Sequence, residues 1–349
     1  MFLPPFLTQK HKSNHIVITQ KMREKKSLFN LFSINGNNKV ITLNIFQKKS
    51  THYTNNRTTK KHCNYKVITK HILCYYIVST FIATTSIAKT TPSFSEPSIL
   101  SPITQGALIY GKTEIGTSVF YQDTQLPLTQ NGEFVFALPK WAPKEIKLDF
   151  LKNNNTFSKT YNVVERTWKE EVVNGLPPQK VTPPAEDLKR INDENQLLKN
   201  ARTHSTNDYF PICFTRPVDK KARISSEFGS ARVLNNTKTA GHSGTDYALP
   251  TGSPIYAPAD GIVKVTHPDM FYSGKTILID HGYGIFSSYS HLSEISVKQG
   301  ATVKQGDLIG KIGTTGRSTG PHLHLTLTWF GVRIDPEYTL QMHACTPTK

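Results

Sequence analysis

The first seventy residues of this 349-residue chain are almost without acidic side chains, Glu24 standing alone against 14 lysines and arginines. The rest of the chain carries 28 basic and 24 acidic groups, so the formal charge of +17 belongs to one end of the molecule. A basic balance confined to a tail argues against nucleic acid as a partner, because binding it needs positive charge gathered on the folded surface. Cysteine is scarce as well. The four are Cys63, Cys74, Cys213 and Cys345, and no pair has the CxxC spacing of a zinc or redox site. Long apolar runs are also missing. The best candidate is residues 71–88, 18 residues with several Thr and Ser, which makes a weak membrane span.

That run follows Lys60, Lys61, Lys66 and Lys70 and closes on Ser86-Ile87-Ala88. A basic stretch, an apolar stretch and small residues, in that order, read as a secretory signal cleaved after Ala88. The rival reading is a cytoplasmic tail followed by an inner-membrane tether. Signals sit at the N-terminus, so residues 1–70 read as a disordered basic extension produced by a start placed too far upstream, with residues 1 to about 60 outside the natural product. Cys74 precedes the apolar run rather than closing it, which argues against lipoprotein processing. After cleavage Cys213 and Cys345 remain, and an exported protein can bridge them. Spacing alone does not bring two cysteines together.

The remainder reads as mainly β. Over 89–165 the pattern is that of a small β-sandwich, immunoglobulin-like in size. Ile146, Leu148 and Phe150 alternate with Lys147 and Asp149, and Asn131-Gly132 predicts a type I′ hairpin. Residues 166–205 form a proline-rich linker and a helix. Thr182 is placed to cap it with Pro183 in its first turn, and Leu188, Ile191 and Leu198 mark its apolar face. Residues 206–345 are rich in short strands, predicted at 255–257, 261–266, 276–280, 285–291, 308–313 and 323–329. They imply an antiparallel sheet with a barrel-like core. His281 is placed at a strand end, His267 in a loop, and Trp329 and Phe330 in the core or a groove wall.

Five residues in this last region carry chemistry. His242 and Asp246 lie in His242-Ser243-Gly244-Thr245-Asp246, and His322 and His324 in Gly320-Pro321-His322-Leu323-His324, with His291 between them in the chain. A catalytic zinc site uses three protein ligands and an open position, so three of the five can hold zinc while two imidazoles stay free. On a strand, period-2 alternation turns both histidines of HxH to one face. Gly244 permits the tight backbone that lets His242 and Asp246 converge. Tyr289 is expected to share a face with His291 if 285–291 is a strand. The glycine-punctuated segment 313–320 reads equally as a turn and as a groove wall.

These motifs resemble the M23 (LytM, or lysostaphin-like) zinc metallopeptidases, which cut peptide cross-links in bacterial cell walls. The resemblance covers about 214–336 and rests on Phe228-Gly229, HSGTDYALPTGSPIYAPADGIV, YSHLS and VKQGDLIGKIGTTGRSTGPHLHL in family order. It implies one zinc per chain on His242, Asp246 and His324, with His291 and His322 as catalytic histidines. It leaves open which of these two is the base. The family often has an acidic residue or tryptophan just after HxH, where this chain has Leu325, Thr326 and Leu327. The chemistry implied is attack by a zinc-bound water, whose pKa can fall to near 7, on a polarised carbonyl.

The expected function is an exported endopeptidase of the periplasm or cell envelope acting on peptidoglycan stem peptides, at D-Ala–diaminopimelate cross-links. A non-catalytic scaffold that activates other wall hydrolases is the alternative, but such regulators lack zinc ligands. A lipoyl or biotinyl carrier needs a modifiable lysine at a hairpin tip, and no such motif occurs. Oligomeric state is not written in the sequence.

Overall fold

A computed structural model of the chain describes residues 95–345 and, by backbone alone, three short strands nearer the N-terminus. The chain divides into two compact units, Met1–Lys89 and Thr90–Lys349. In the first, β1 (Val17–Ile18), β2 (Phe29–Ser33) and β3 (Thr42–Phe46) make an antiparallel sheet in that order. Composition predicts no regular structure there, but each run contains β-branched or aromatic residues that suit a strand. The predicted signal at 71–88, Cys63 and Cys74 lie outside the described residues. Among the described residues no helix is long and apolar enough to cross a membrane.

The second unit begins with seven strands: β4 (Ser98–Ile99), β5 (Leu108–Lys112), β6 (Ser118–Tyr121), β7 (Thr124–Gln125), β8 (Glu133–Ala137), β9 (Glu145–Lys152) and β10 (Asn155–Asn162). They form two sheets, β4-β5-β8 and β10-β9-β6-β7. Ile146, Leu148 and Phe150 of β9 are buried as the alternation requires. Phe134 and Phe136 of β8 meet Phe150 and Tyr121 at ring-centroid distances of 6.5 and 5.1 Å, so the two sheets share one core. The turn at Asn131-Gly132 differs from expectation. Only Gly132 has positive φ, at 77°, and its N–H donates to Thr129 O at 3.0 Å. A type I′ turn needs positive φ at both central residues; here Gln130 and Asn131 turn right-handed and Gly132 alone takes the left-handed position.

The linker is ordered against the C-terminal domain. Its elements are β11 (Glu170–Val173), the one-turn α1 (Pro178–Val181) and α2 (Ala185–Ala201). The helix starts later than predicted. Thr182 closes α1, its N–H donating to Pro178 O at 2.8 Å, and Pro184 is the N-cap of α2. Consecutive prolines force Thr182 and Pro183 away from the α region, which delays the second helix. Ile191 is buried and Leu198 packs against Val265, Met270, Leu278 and Phe286. Leu188 is 46 % exposed, so it does not belong to that face.

The C-terminal domain contributes β12 (Arg223–Ser226), β13 (Ala231–Leu234), β14 (Thr237–Thr239), β15 (Thr245–Ala248), β16 (Pro254–Tyr256), β17 (Gly261–Met270), β18 (Gly274–Asp280), β19 (Ile285–Ile295), β20 (Thr302–Val303), β21 (Leu308–Ile312), β22 (His322–Trp329), β23 (Val332–Ile334) and α3 (Pro336–Met342). The main sheet runs β12-β15-β22-β19-β18-β17-β20, antiparallel throughout. Each of the six predicted strands has its counterpart. His267 falls inside β17 rather than in a loop, because β17 continues past Pro268 through register shifts opposite β18. His281 follows β18 and is fully buried, its rings held by Asp260 O at 2.8 Å and Ser287 Oγ at 2.7 Å. Trp329 is buried, and Phe330 is half exposed beside Gly284. A separate sheet, β11-β13-β14, joins linker strand to domain strands, β11 running parallel to β13.

The sandwich is anchored to the same body. Arg166 Nη2 lies 2.7 Å from Asp335 Oδ2, Lys140 Nζ donates to Gly229 O at 2.5 Å, and Tyr110 OH donates to Pro211 O at 2.5 Å. Cys213 and Cys345 form a disulfide with Cα atoms 4.8 Å apart, closing a separation of 132 residues. A loop that long restricts the unfolded chain strongly, so Cys213→Ser is expected to cost roughly 2–5 kcal/mol. Urea titration of oxidised wild type and variant measures this, and coincident midpoints would deny the bond a stabilising role.

Candidate metal and catalytic site

The sheet register assembles most of the site. β15 and β22 pair so that Asp246 stands directly opposite His324, and β22 and β19 pair so that Ser290 stands on the other side of His324. Directly opposed residues have Cβ atoms about 5 Å apart, close enough for their side chains to meet. His322, two residues before His324 on β22, presents its imidazole to the same face. His242 lies in the loop before β15, fixed by His242 N–H to Ser230 O at 2.8 Å and Gly229 N–H to His242 O at 2.9 Å.

Gly244 works by lack of volume. A Cβ there would stand 2.0 Å from Leu325 O, and the residue is not among those with positive φ. The close approach of the loop to β22 is therefore what demands glycine, rather than an unusual backbone angle.

His291 breaks the strand. Its φ is +65°, and on β19 the register slips by one residue between its neighbours opposite Ile277 and Lys275. This is a bulge, which re-aims a side chain by interrupting alternation. Tyr289 and His291 consequently do not share an environment. Tyr289 is fully buried with its hydroxyl 2.7 Å from Ser287 Oγ, whereas His291 lines the pocket.

Three donor atoms converge: His242 Nε2, Asp246 Oδ1 and His324 Nδ1. Their separations are 3.1 Å (His242 to Asp246), 3.0 Å (His242 to His324) and 2.7 Å (Asp246 to His324). Among the described residues these three form the group of His, Cys and acidic side chains whose ligand atoms lie within 4.8 Å of one another. Tetrahedral zinc with bonds of about 2.0–2.1 Å sets its ligands roughly 3.3 Å apart, so the donor set and spacing fit that ion.

The distal atoms of these residues are engaged. His242 Nδ1 lies 2.9 Å from Glu227 O, and a carbonyl can only accept, so Nδ1 carries the hydrogen and Nε2 presents a lone pair. His324 Nε2 lies 3.1 Å from Thr326 Oγ1 and 3.3 Å from Ser243 Oγ, hydroxyls able to accept its N–H. Thr326 thus serves the HxH strand at a position where the sequence departs from the usual pattern. Asp246 Oδ2 accepts from Arg232 Nη2 at 2.9 Å. Arg232 also donates to Ser226 Oγ at 2.7 Å and lies 3.7 Å from Glu171 Oε2. Nothing in the chain's motifs singles out Arg232. Only the fold brings Arg232 of β13 to Asp246 of β15, and a lone arginine carries no spacing signal.

The two remaining imidazoles face the same pocket, with centroids 4.7 Å apart. His291 Nδ1 donates to Thr315 O at 2.8 Å and His322 Nδ1 to Gly320 O at 2.8 Å, which leaves the Nε2 atom of each ring outside these bonds. Burial, reinforced by His322 and His324, holds the His291 pKa down to about 3, and burial takes His324 down to about 4. Both are neutral at physiological pH. Burial raises the Asp246 carboxyl, but hydrogen bonds with His242 and His324 outweigh it and keep the group well below the usual carboxylate range.

The pocket has a volume of about 290 Å³. Arg317, Ser318 and Thr319 of segment 313–320 form part of its wall, so this segment is more than a turn. The facing wall includes Glu171, Val173 and Leu176 from the linker. The linker is pinned on both sides: Asn235 Nδ2 donates to Leu176 O at 2.6 Å, and Lys180 Nζ to Phe271 O at 2.6 Å.

Residues 240–336 match the profile of Peptidase family M23, a stretch holding all five residues. The chain carries an M23 peptidase domain. Peptidoglycan DD-endopeptidase ShyA of Vibrio cholerae is 49 % identical over 114 residues, 32 % of this chain and 26 % of that protein. DD-carboxypeptidase/endopeptidase Mpg of Neisseria meningitidis is 41 % identical over 116 residues, 33 % of this chain and 26 % of that protein. The chain thus spans about a quarter of the length of these relatives. A Pseudomonas aeruginosa structure assigned to peptidase M23 superposes with a TM-score of 0.55 at 29 % identity, covering 69 % of this chain and 96 % of that one. That coverage extends beyond the peptidase domain.

Proposed function

We propose that this protein is a zinc-dependent endopeptidase that hydrolyses peptide cross-links of bacterial peptidoglycan, at D-Ala–diaminopimelate bonds, after export to the periplasm or cell envelope. The observation that carries the reading is the convergence of His242, Asp246 and His324 beside two imidazoles with free Nε2 atoms. The naming of the Vibrio and Neisseria relatives as peptidoglycan endopeptidases supports the substrate class. The Cys213–Cys345 bridge accords with an oxidising compartment.

When bound by two neutral imidazoles and one carboxylate, zinc supplies a Lewis acid and an acidified water. The chain supplies the rest. One of His291 and His322 takes a proton at Nε2 from the attacking water, and the other, when it carries hydrogen on Nε2 as well as Nδ1, donates a hydrogen bond to the oxyanion that develops on the scissile carbonyl. Their Nδ1–H bonds to backbone carbonyls turn each Nε2 to the pocket as a lone pair, which is the form the proton acceptor requires. The low pKa of His291 keeps it neutral, and its bulged backbone aims it into the pocket. A scaffold without activity would not need the full ligand set with every distal atom engaged.

The test is digestion of purified cross-linked peptidoglycan by the purified protein, with soluble products read by mass spectrometry. Chelator-sensitive loss of cross-linked dimers, restored by zinc, is the expected result. Walls that remain intact at full zinc occupancy would sink the endopeptidase reading.

Arg232 has a defined part in this scheme. By fixing the outer oxygen of Asp246 it would leave the inner one free to hold a metal ion, and loss of such a partner typically weakens metal affinity about 10–100-fold. Arg232→Ala is therefore expected to shift zinc affinity by about that factor in competition with a chromophoric chelator. An unchanged affinity would leave Arg232 a purely structural residue.

A further inference from the structure

We infer that Arg317 is a specificity-determining residue that reads a free carboxylate on the substrate residue whose amine is released, beside the bond cut between His291 and His322. The inference rests on the endopeptidase reading and adds to it a substrate feature and the residue that recognises it.

The first observation is one of charge. Two guanidinium groups, Arg232 and Arg317, line the pocket with two carboxylates, Asp246 and Glu171. Both carboxylates are spoken for. Asp246 is bound by Arg232, His242 and His324. Glu171 lies against Arg232 and accepts from Ser230 Oγ at 2.9 Å, from Glu227 N–H at 3.2 Å and from Ser226 Oγ. Arg317 has no carboxylate partner among the described residues. Its side chain donates only to Lys180 O, a neutral acceptor at the long distance of 3.3 Å, and its guanidinium lies 4.5 Å from the centroid of the Tyr272 ring. Burial lowers its pKa, as expected of a cation short of counter-charge. A half-buried guanidinium without an anion costs stability. It is also the group best suited to grip a carboxylate through two parallel N–H bonds.

The second observation is position. The segment carrying Arg317 also supplies the two carbonyls that orient the free histidines, Thr315 O to His291 and Gly320 O to His322. Arg317 lies between these carbonyls in the chain, and its own N–H is tied to Tyr272 O at 2.8 Å. The guanidinium is thus built into the same short loop that sets the catalytic imidazoles. Arg317 lines the same pocket as His291 and His322, so an anion it binds shares that pocket with the reacting bond. In a D-Ala–diaminopimelate cross-link, the carbon bearing the scissile nitrogen carries a free carboxylate. A glycine–glycine bridge offers none at that place, and an amidated diaminopimelate offers a neutral carboxamide.

The experiment compares two synthetic cross-linked stem dimers, identical except that one has the free carboxylate beside the scissile amide and the other a carboxamide. Wild type, Arg317→Gln and Arg317→Lys are assayed on both. Wild type is expected to favour the carboxylate roughly 10–100-fold in kcat/KM, the range for charge-assisted hydrogen bonds. The preference should reside mainly in KM. Arg317→Gln should bring the ratio close to unity, and Arg317→Lys should restore part of the preference. A preference that survives Arg317→Gln, or a wild type indifferent to the carboxylate, overturns the inference while leaving the endopeptidase reading intact. If neither dimer is cut, the endopeptidase reading fails. Calorimetry of the zinc-free protein with the two dimers then decides the carboxylate question: tighter binding of the free acid, lost in Arg317→Gln, supports it, and equal binding overturns it.

Discussion

Asp246→Ala is expected to remove the metal and to lower cleavage of cross-linked peptidoglycan roughly 10³-fold or more, since Lewis-acid stabilisation by a metal is worth several kcal/mol. Asp246 is the keystone of the donor triangle. Its Oδ1 lies 2.7 Å from His324 Nδ1 and 3.1 Å from His242 Nε2, while its Oδ2 holds Arg232. Without it two imidazoles remain, one short of the three protein ligands of a catalytic zinc site. The substitution also leaves Arg232 near two histidines with one fewer negative charge, which further disfavours a divalent cation. Metal content after dialysis, measured by mass spectrometry, should fall from one zinc per chain to near zero, with circular dichroism unchanged. Stoichiometric zinc with retained activity in the variant would place the metal elsewhere.

The second large effect separates the free imidazoles from the ligands. His322→Ala and His291→Ala should each lower kcat roughly 10²–10⁴-fold, the usual contribution of a positioned proton-transfer group, while zinc stays bound. The reasoning is local. Each ring donates Nδ1–H to a fixed carbonyl and turns Nε2 to the pocket, and neither Nε2 belongs to the donor triangle. His322 Nε2 stands 3.8 Å from Asp246 Oδ1, near the triangle but outside hydrogen-bonding distance. The double variant should be little worse than the worse single one if the two act in one step, because groups that work as a unit are strongly non-additive. Loss of zinc in either single variant would instead make that histidine a ligand.

How much of this was legible beforehand follows the range of the signals. Local sequence determined the mainly β character and the six predicted strands, and it singled out five residues that the fold brings together, because alternation, turn residues and short motifs act over a few positions. HxH on a strand and HxxxD before one could be read directly as groups sharing a face or a loop. Errors arose where local rules were overridden nearby. The Thr182 cap lost to two consecutive prolines, the type I′ turn to a single left-handed Gly132, and the shared face of Tyr289 and His291 to a bulge.

Tertiary structure alone decided the partners. Arg232 reaches Asp246 because β13 folds beside the ligand strand, and Arg317 enters the pocket because segment 313–320 closes over His291. The linker strand β11 joins β13 to supply Glu171 and Val173 to the pocket wall, though nothing in its own pattern specifies that neighbour. Cys213 and Cys345, 132 positions apart, meet only when both ends of the domain are in place. The physical reason is common to all four. A side chain's chemistry is carried by its own residue, but its pKa, its partner and its exposure are set by atoms that strand order brings to it from elsewhere in the chain.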